Sequence, residues 1–211
     1  MRSVLLVAAG AVMVAVQGCT QRVLIPPRID LKPHEVVGVI DFDCDGGEEF
    51  GPFLMDRFVA AVRCDQGMVR ILRLGGPAQA LAAVGRSQLD PAVFKAIGGH
   101  FGVKTIFTGR LTVSDVKPNI SVAHALTSFN LSADVDATLA VELIEAETGA
   151  SLWSASSRDR QRIGGVRVFG DKSFTFDADD PQNAYGSLVD SLIYHVTPDF
   201  RSRWIRVRKE R

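Results

Sequence analysis

The chain has 211 residues, 46% of them hydrophobic and 23% charged, with 24 basic residues balanced by 24 acidic ones. A neutral chain gives no global electrostatic case for nucleic-acid binding. The length suits one domain with a real core and excludes a small scaffold stapled by disulfides, since only three cysteines are present.

The first segment reads as a targeting leader. Arg2 supplies a positive start, Val4 to Val16 is almost unbroken apolar sequence, and Gly18 is a small residue before Cys19. The apolar run falls short of the roughly 18 residues of a membrane-spanning helix. Val16-Gln17-Gly18-Cys19 resembles the bacterial lipobox, in which the cysteine is acylated and becomes the new N-terminus. The resemblance implies a signal peptide over residues 1–18 and lipid chains, palmitate among them, on Cys19. Thr20, where some lipoproteins carry Asp, resembles an outer-membrane destination facing the periplasm. Residues 19–34 form the lipidated start and a tether, because Pro26-Pro27 and Pro33 disfavour helix. Losing Arg2 with the leader leaves the chain one charge negative.

The α/β domain is expected over residues 35–200. Glu35 to Phe42 is a β-rich apolar run ending in an acidic loop, as in a buried strand. A helix is expected to open at Pro52 and run to about Arg63, with Leu54, Phe58, Ala61 and Val62 on one face. That helix would separate Cys44 from Cys64 beyond disulfide reach. Met68 to Leu74 reads as a strand, stopped by Gly75-Gly76-Pro77, and Ala78 to Val84 as a short helix. Asp90-Pro91 starts a helix with Val93, Phe94, Ile97 and Phe101 as its apolar stripe. Val103 to Val116 reads as a long strand that Pro118 ends or bends.

Phe129 to Leu143 alternates apolar residues at odd positions with polar ones such as Asp134 and Asp136 at even positions. Glu147-Thr148-Gly149 suits a three-residue hairpin loop with Gly149 left-handed. That register sets Leu143 opposite Trp153, Asp136 opposite Arg160 and Asp134 opposite Arg162, so cross-strand charge pairing accounts for the arginines without a ligand. A strand over Lys172 to Phe176 follows. A last helix carries Tyr185, Leu188, Val189, Leu192, Ile193 and Val196 at helical spacing and ends before Pro198.

The order strand, helix, strand, helix, strand, hairpin, helix resembles the family of the curli secretion channel and its lipoprotein relatives. Those relatives include activators of penicillin-binding proteins, and the TolB N-terminal domain is a more distant likeness. Three stretches carry the match: Val36 to Phe42 (VVGVIDF), Phe101 to Leu111 (FGVKTIFTGRL) and Ala137 to Ser154 (ATLAVELIEAETGASLWS). The resemblance implies a single three-layer-like α+β domain with a mixed, largely antiparallel sheet packed by helices, of the anticodon-binding-domain-like type. The family's Asn-rich loop after the first strand is acidic here, from Asp41 to Glu49.

Members divide into pores and soluble accessory proteins. A pore needs lipid-facing alternation on both strands of each hairpin, and Ser157, Asp159 and Gln161 would break it on the second strand. The odd residues of the first strand instead suit a floor beneath helices.

Asp41, Asp43, Asp45 and Gly46 resemble the start of a calcium loop, where alternate aspartates supply hard oxygen ligands. Pro52 occupies the twelfth position, where a bidentate glutamate belongs, leaving Glu48 or Glu49 as substitutes. Asp41 and Asp43 also resemble the nucleophile motif of haloacid-dehalogenase-type phosphatases. The bland alternative is a solvated loop favouring a helix N-terminus. His34, His100, His124 and His195 have no metal-ligand spacing. The tail over residues 201–211 is basic, with Arg201, Arg203, Trp204 and Arg206 as candidates for contacting acidic lipid or a protein partner.

The expectation is therefore a lipid-anchored, non-catalytic envelope accessory or assembly factor acting by protein–protein contact. The alternatives are a subunit of an oligomeric outer-membrane channel and a metal-dependent periplasmic enzyme using Asp41, Asp43 and Asp45. No cofactor is expected beyond the lipid on Cys19, with calcium as the exception that the acidic loop raises.

Overall fold

The structure is a computed structural model, and it describes residues 20–45, 50–88, 90–119, 132–164, 166–168, 174–176 and 180–208. Two compact units result, one from Pro26 to Ser202 and one pairing the two terminal segments.

Within the first unit, β2 (Val36–Val39), β4 (Arg70–Arg73), β5 (Thr105–Asn119), β6 (Ser132–Glu145) and β7 (Ser151–Ile163) form one sheet in the order β4-β2-β5-β6-β7. β2 runs parallel to β4 and β5, whereas β5-β6 and β6-β7 are antiparallel. The short β3 (Asp43–Cys44) also pairs with β5, in parallel. The helices α1 (Phe50–Arg63), α2 (Pro77–Ala83), α3 (Pro91–Phe101) and α4 (Pro181–Val196) complete it, with a small ribbon of β8 (Val166–Val168) and β9 (Phe174–Phe176). This is the expected mixed α+β sheet packed by helices.

Two cores give the three layers. On one face, Ala133, Val135, Ala137, Leu139, Val141 and Leu143 of β6 are fully buried beneath Leu54, Phe58 and Val62 of α1 and Leu188, Leu192 and Val196 of α4. On the other, Ile40, Ile106 and Ile144 meet Ala80 of α2 and Val93, Phe94 and Ile97 of α3. The alternation of β6 thus buries its odd residues in one core, whereas on the even side only Ile144 is buried.

Local chemistry fixes the boundaries. Asp90 caps α3 by accepting from the Val93 amide at 2.8 Å, Pro91 follows, and Gly102 closes the helix at φ 68°. Asp180 caps α4 through Asn183 N at 3.2 Å. α1 begins at Phe50, two residues before the expected Pro52. The first amides of a helix have no intrahelical partner, so a proline in the opening turn costs nothing. β5 runs through Pro118 instead of stopping there, and Ser114 forms a bulge between Val113 and Asp115. Beyond Leu111, no described strand pairs with β5 opposite β6, and a proline is tolerated on such an open side.

The β6-β7 register is the expected one: Leu143 faces Trp153, Asp136 faces Arg160 and Asp134 faces Arg162. The turn differs. Glu145 and Ala150 close a four-residue loop with Gly149 at φ 70°, and a register shift after Ile144–Ser151 leaves Leu152 as the extra residue that restores the pairing. Gly109 of β5 has a physical reason in close approach. A Cβ on Gly109 would lie 2.7 Å from Ala140 O and 3.0 Å from the Phe42 ring.

The second unit is an antiparallel ribbon of β1 (Thr20–Ile25) and β10 (Arg203–Arg208), paired from Thr20–Arg208 to Ile25–Arg203. The first part of the segment expected as a non-helical tether is thus a strand. Its partner is the segment expected as a tail.

Candidate functional site

The acidic loop spreads its carboxylates apart. Phe42 turns into the core against Phe58, with ring centroids 4.8 Å apart, and Cys44 is half-buried beside Gly51. Asp41, Asp43 and Asp45 alternate with them, so successive acids lie two positions apart, about 7 Å along an extended chain. Each has its own partner. Asp41 accepts from Arg73 Nη2 at 2.9 Å, and Arg73 also binds Asp56 at 3.0 Å. Asp43 pairs with Arg110 at 2.7 Å, and Asp45 accepts from the Val113 amide at 3.3 Å. Glu48 and Glu49 lie outside the described residues. Among the described residues, no three His, Cys, Asp or Glu side chains are grouped closely enough to hold a metal ion.

Burial pushes the Cys44 thiol up to about 12, assisted by the negative charges of Asp43, Asp45 and Asp41. A thiol so placed stays protonated at neutral pH and is a poor nucleophile. Cys44 and Cys64 are both free.

The hairpin's two faces divide the chemistry. On the inner face, Ser157 donates to Leu192 O of α4 at 2.8 Å, and Gln161 donates to Asp159 at 2.7 Å. These polar residues, which spoil a lipid-facing alternation, serve a strand lying against a helix. On the outer face, Arg158 grips Asp136 through two hydrogen bonds, the longer 2.7 Å, and Arg162 reaches Asp134 at 3.1 Å. Asp136 thus draws its guanidinium from the diagonal neighbour, not from Arg160 directly opposite. The Arg158 hydrogen bond holds the Asp136 carboxyl below its ordinary range.

Further along that face lies an open recess of about 680 Å³. Thr108 and Arg110 of β5, Ala140 and Glu142 of β6, and Ser154 and Ser156 of β7 form its floor, with Asp43 and Pro77 at the rim. Arg110, Ala140, Glu142, Ser154 and Ser156 are exposed. Polarity on alternate residues signals an outer face, but sequence cannot foresee that α2 and α3 leave this part of it uncovered.

The basic candidates separate. Arg201 closes α4: it donates to the main-chain oxygens of Tyr194 and Thr197 and lies over the Tyr194 ring at 4.5 Å. Arg203, Trp204 and Arg206 belong to β10, where Arg206 sits opposite Arg22 and Trp204 opposite Leu24. Arg22 was not singled out by sequence. The available signal was the matched β-rich character of TQRVLI and RWIRVR at the two ends. Cys19 lies outside the described residues, as does His124.

No protein-family model matches the chain, and no curated protein matches it. Among solved structures, it is similar to the PelC dodecamer from Paraburkholderia phytofirmans at 14% identity and a TM-score of 0.47, covering 88% of this chain and 99% of that one. It is also similar to lipoprotein GNA1162 from Neisseria meningitidis at 15% identity, with 60% and 83% covered and a TM-score of 0.36. The LpoB C-terminal domain from Escherichia coli shares 14% identity, with 60% and 82% covered and a TM-score of 0.35.

Proposed function

We propose that this chain is a lipid-anchored, non-catalytic accessory protein of the bacterial envelope. It works by protein–protein contact through the outer face of its sheet, with Cys19 acylated and the domain held at the periplasmic side of the outer membrane.

The observation that carries this reading is the state of the outer face. Its recess is open, and charges beside it are already neutralised in pairs, Asp43 with Arg110, Asp136 with Arg158 and Asp134 with Arg162. A catalytic cleft instead encloses its ligand and converges a few polar groups with shifted acidity upon it. An exposed floor of Ala140, Ser154 and Ser156, flanked by paired charges, suits a broad polar partner surface. The inner face is occupied by α1 and α4, which favours the accessory reading over the channel reading for this hairpin.

Two measurements test it. Cys19→Ser should move the protein from the membrane fraction to the soluble periplasm; equal retention would sink the anchoring. Detergent-extracted protein should conduct no ions in planar bilayers. A stable conducting ring would replace this reading with the channel.

A further inference from the structure

The β1-β10 ribbon contains four arginines and no acidic residue. Opposite residues of an antiparallel pair share a face, so Arg22 stands beside Arg206 with no carboxylate in either strand to separate them. Like charges placed directly opposite are destabilising. The same face carries Leu24 and Trp204, which are 48% and 67% exposed. The other face carries Val23, Ile205 and Val207, each between 36% and 42% exposed. A ribbon that exposes these apolar side chains and also opposes two guanidiniums is built for a surface that supplies both anions and apolar contact.

Position selects that surface. The ribbon starts at Thr20, one residue after Cys19. At about 3.3 Å per residue, Arg22 stands within roughly 10 Å of the acylated residue. We propose that the ribbon is a second membrane contact, in which Arg22 and Arg206 bind anionic lipid headgroups while Trp204, Leu24 and the valine–isoleucine face enter the boundary between headgroups and acyl chains. This placement rests on the anchoring at Cys19 proposed above. Trp and Arg are side chains suited to that boundary, one wet at its tip and the other cationic on a long apolar stem. Lipid anchoring gains from a second signal of this kind, since basic residues near an anionic surface add to the affinity of the chains.

The test uses the mature chain from residue 19 with Cys19→Ser, so that no lipid contributes. It is mixed with vesicles of phosphatidylcholine alone or of phosphatidylcholine with about one third phosphatidylglycerol, a content that gives the anionic surface a potential strong enough to attract arginines. Binding is read by co-sedimentation and by Trp204 fluorescence, with Trp204→Phe as the blank for Trp153. Expected are binding to the anionic vesicles only, loss on raising salt, and a blue shift absent from the Trp204→Phe chain. Arg22→Gln with Arg206→Gln should weaken binding about 25-fold, near fivefold for each arginine. If that double variant misfolds, the salt dependence of the unmodified ribbon still decides. Equal binding to both vesicles, no binding, or self-association in sedimentation without vesicle binding would overturn the proposal, the last assigning the ribbon to a second copy. Mass analysis of protein from membranes reads acylation of Cys19 separately, so the two readings fail independently.

Discussion

Gln66 donates from Nε2 to the main-chain oxygen of Phe200 at 2.8 Å, across 134 residues of sequence. The same side chain donates to Ile29 O at 2.9 Å and accepts from Leu31 N at 2.8 Å, while only 1% of the residue is exposed. One buried amide thereby fastens the incoming segment at Ile29–Leu31 to the outgoing segment at Phe200. The Ile29 amide adds a 2.9 Å bond to Asp199 O, and Trp153 Nε1 donates to Asp199 Oδ2 at 3.0 Å.

Gln66→Met keeps much of the volume and removes the three hydrogen bonds of the Gln66 side chain, stranding the buried main-chain groups of Leu31 and Phe200 and the half-buried carbonyl of Ile29. The expected cost is about 3 kcal/mol, at the level of unsatisfied buried polar groups. Thermal unfolding should show a fall of about 10 °C for a domain of this size. An unchanged midpoint would mean that water replaces the amide at no cost.

Gly109→Ala places a methyl group against Ala140 O and the Phe42 ring. Because one contact is backbone, the sheet must shift, and about 2 kcal/mol of stability should be lost, as for other overpacked cores. The denaturant midpoint measures it. Ala140→Ser, exposed on the opposite face, is the expected neutral control.

Asp136 should titrate below an ordinary aspartate, and Arg158→Gln should return its midpoint towards the unperturbed value of about 3.9. Because the folded carboxyl is the more acidic one, its stabilising contribution is complete above the unfolded value and fades as pH falls through the folded one. Carbonyl chemical shifts followed against pH provide the reading. An Asp136 midpoint unmoved by Arg158→Gln would show that the pair does not form in solution.

Alkylation of the native protein at about pH 8 should label Cys64 first, because it is exposed and Cys44 is held protonated by burial. Peptide mass mapping distinguishes them, and denaturant should erase the difference. Comparable native rates would contradict the inward placement of Cys44.

Local chemistry was the legible part of this fold. The alternation of Ala133 to Leu143, the Asp90-Pro91 cap and the opposition of Leu143 to Trp153 all follow from rules acting within a few residues. The hairpin register survived a wrong loop length because Leu152 takes up the difference. The remainder depends on distant pairing. Arg22 meets Arg206 only because two terminal strands find each other, and no local pattern in either assigns its partner. Gln66 looks like an ordinary polar residue after a helix, since its value lies in main-chain groups far away in sequence. Asp41, Asp43 and Asp45 carry a ligand-like spacing, but their partners Arg73, Arg110 and the Val113 amide come from two other strands.

The central claim, contact through the sheet's outer face, is tested most directly by photo-cross-linking in intact cells. A photoreactive residue is placed at Ser154 or Ser156 in the recess and, for comparison, at Met68, which is 97% exposed elsewhere on the domain. The account expects a discrete adduct with one envelope protein from both recess positions, absent from Met68 and lost with Glu142→Arg. No adduct from the recess, or the same pattern from Met68, would contradict it.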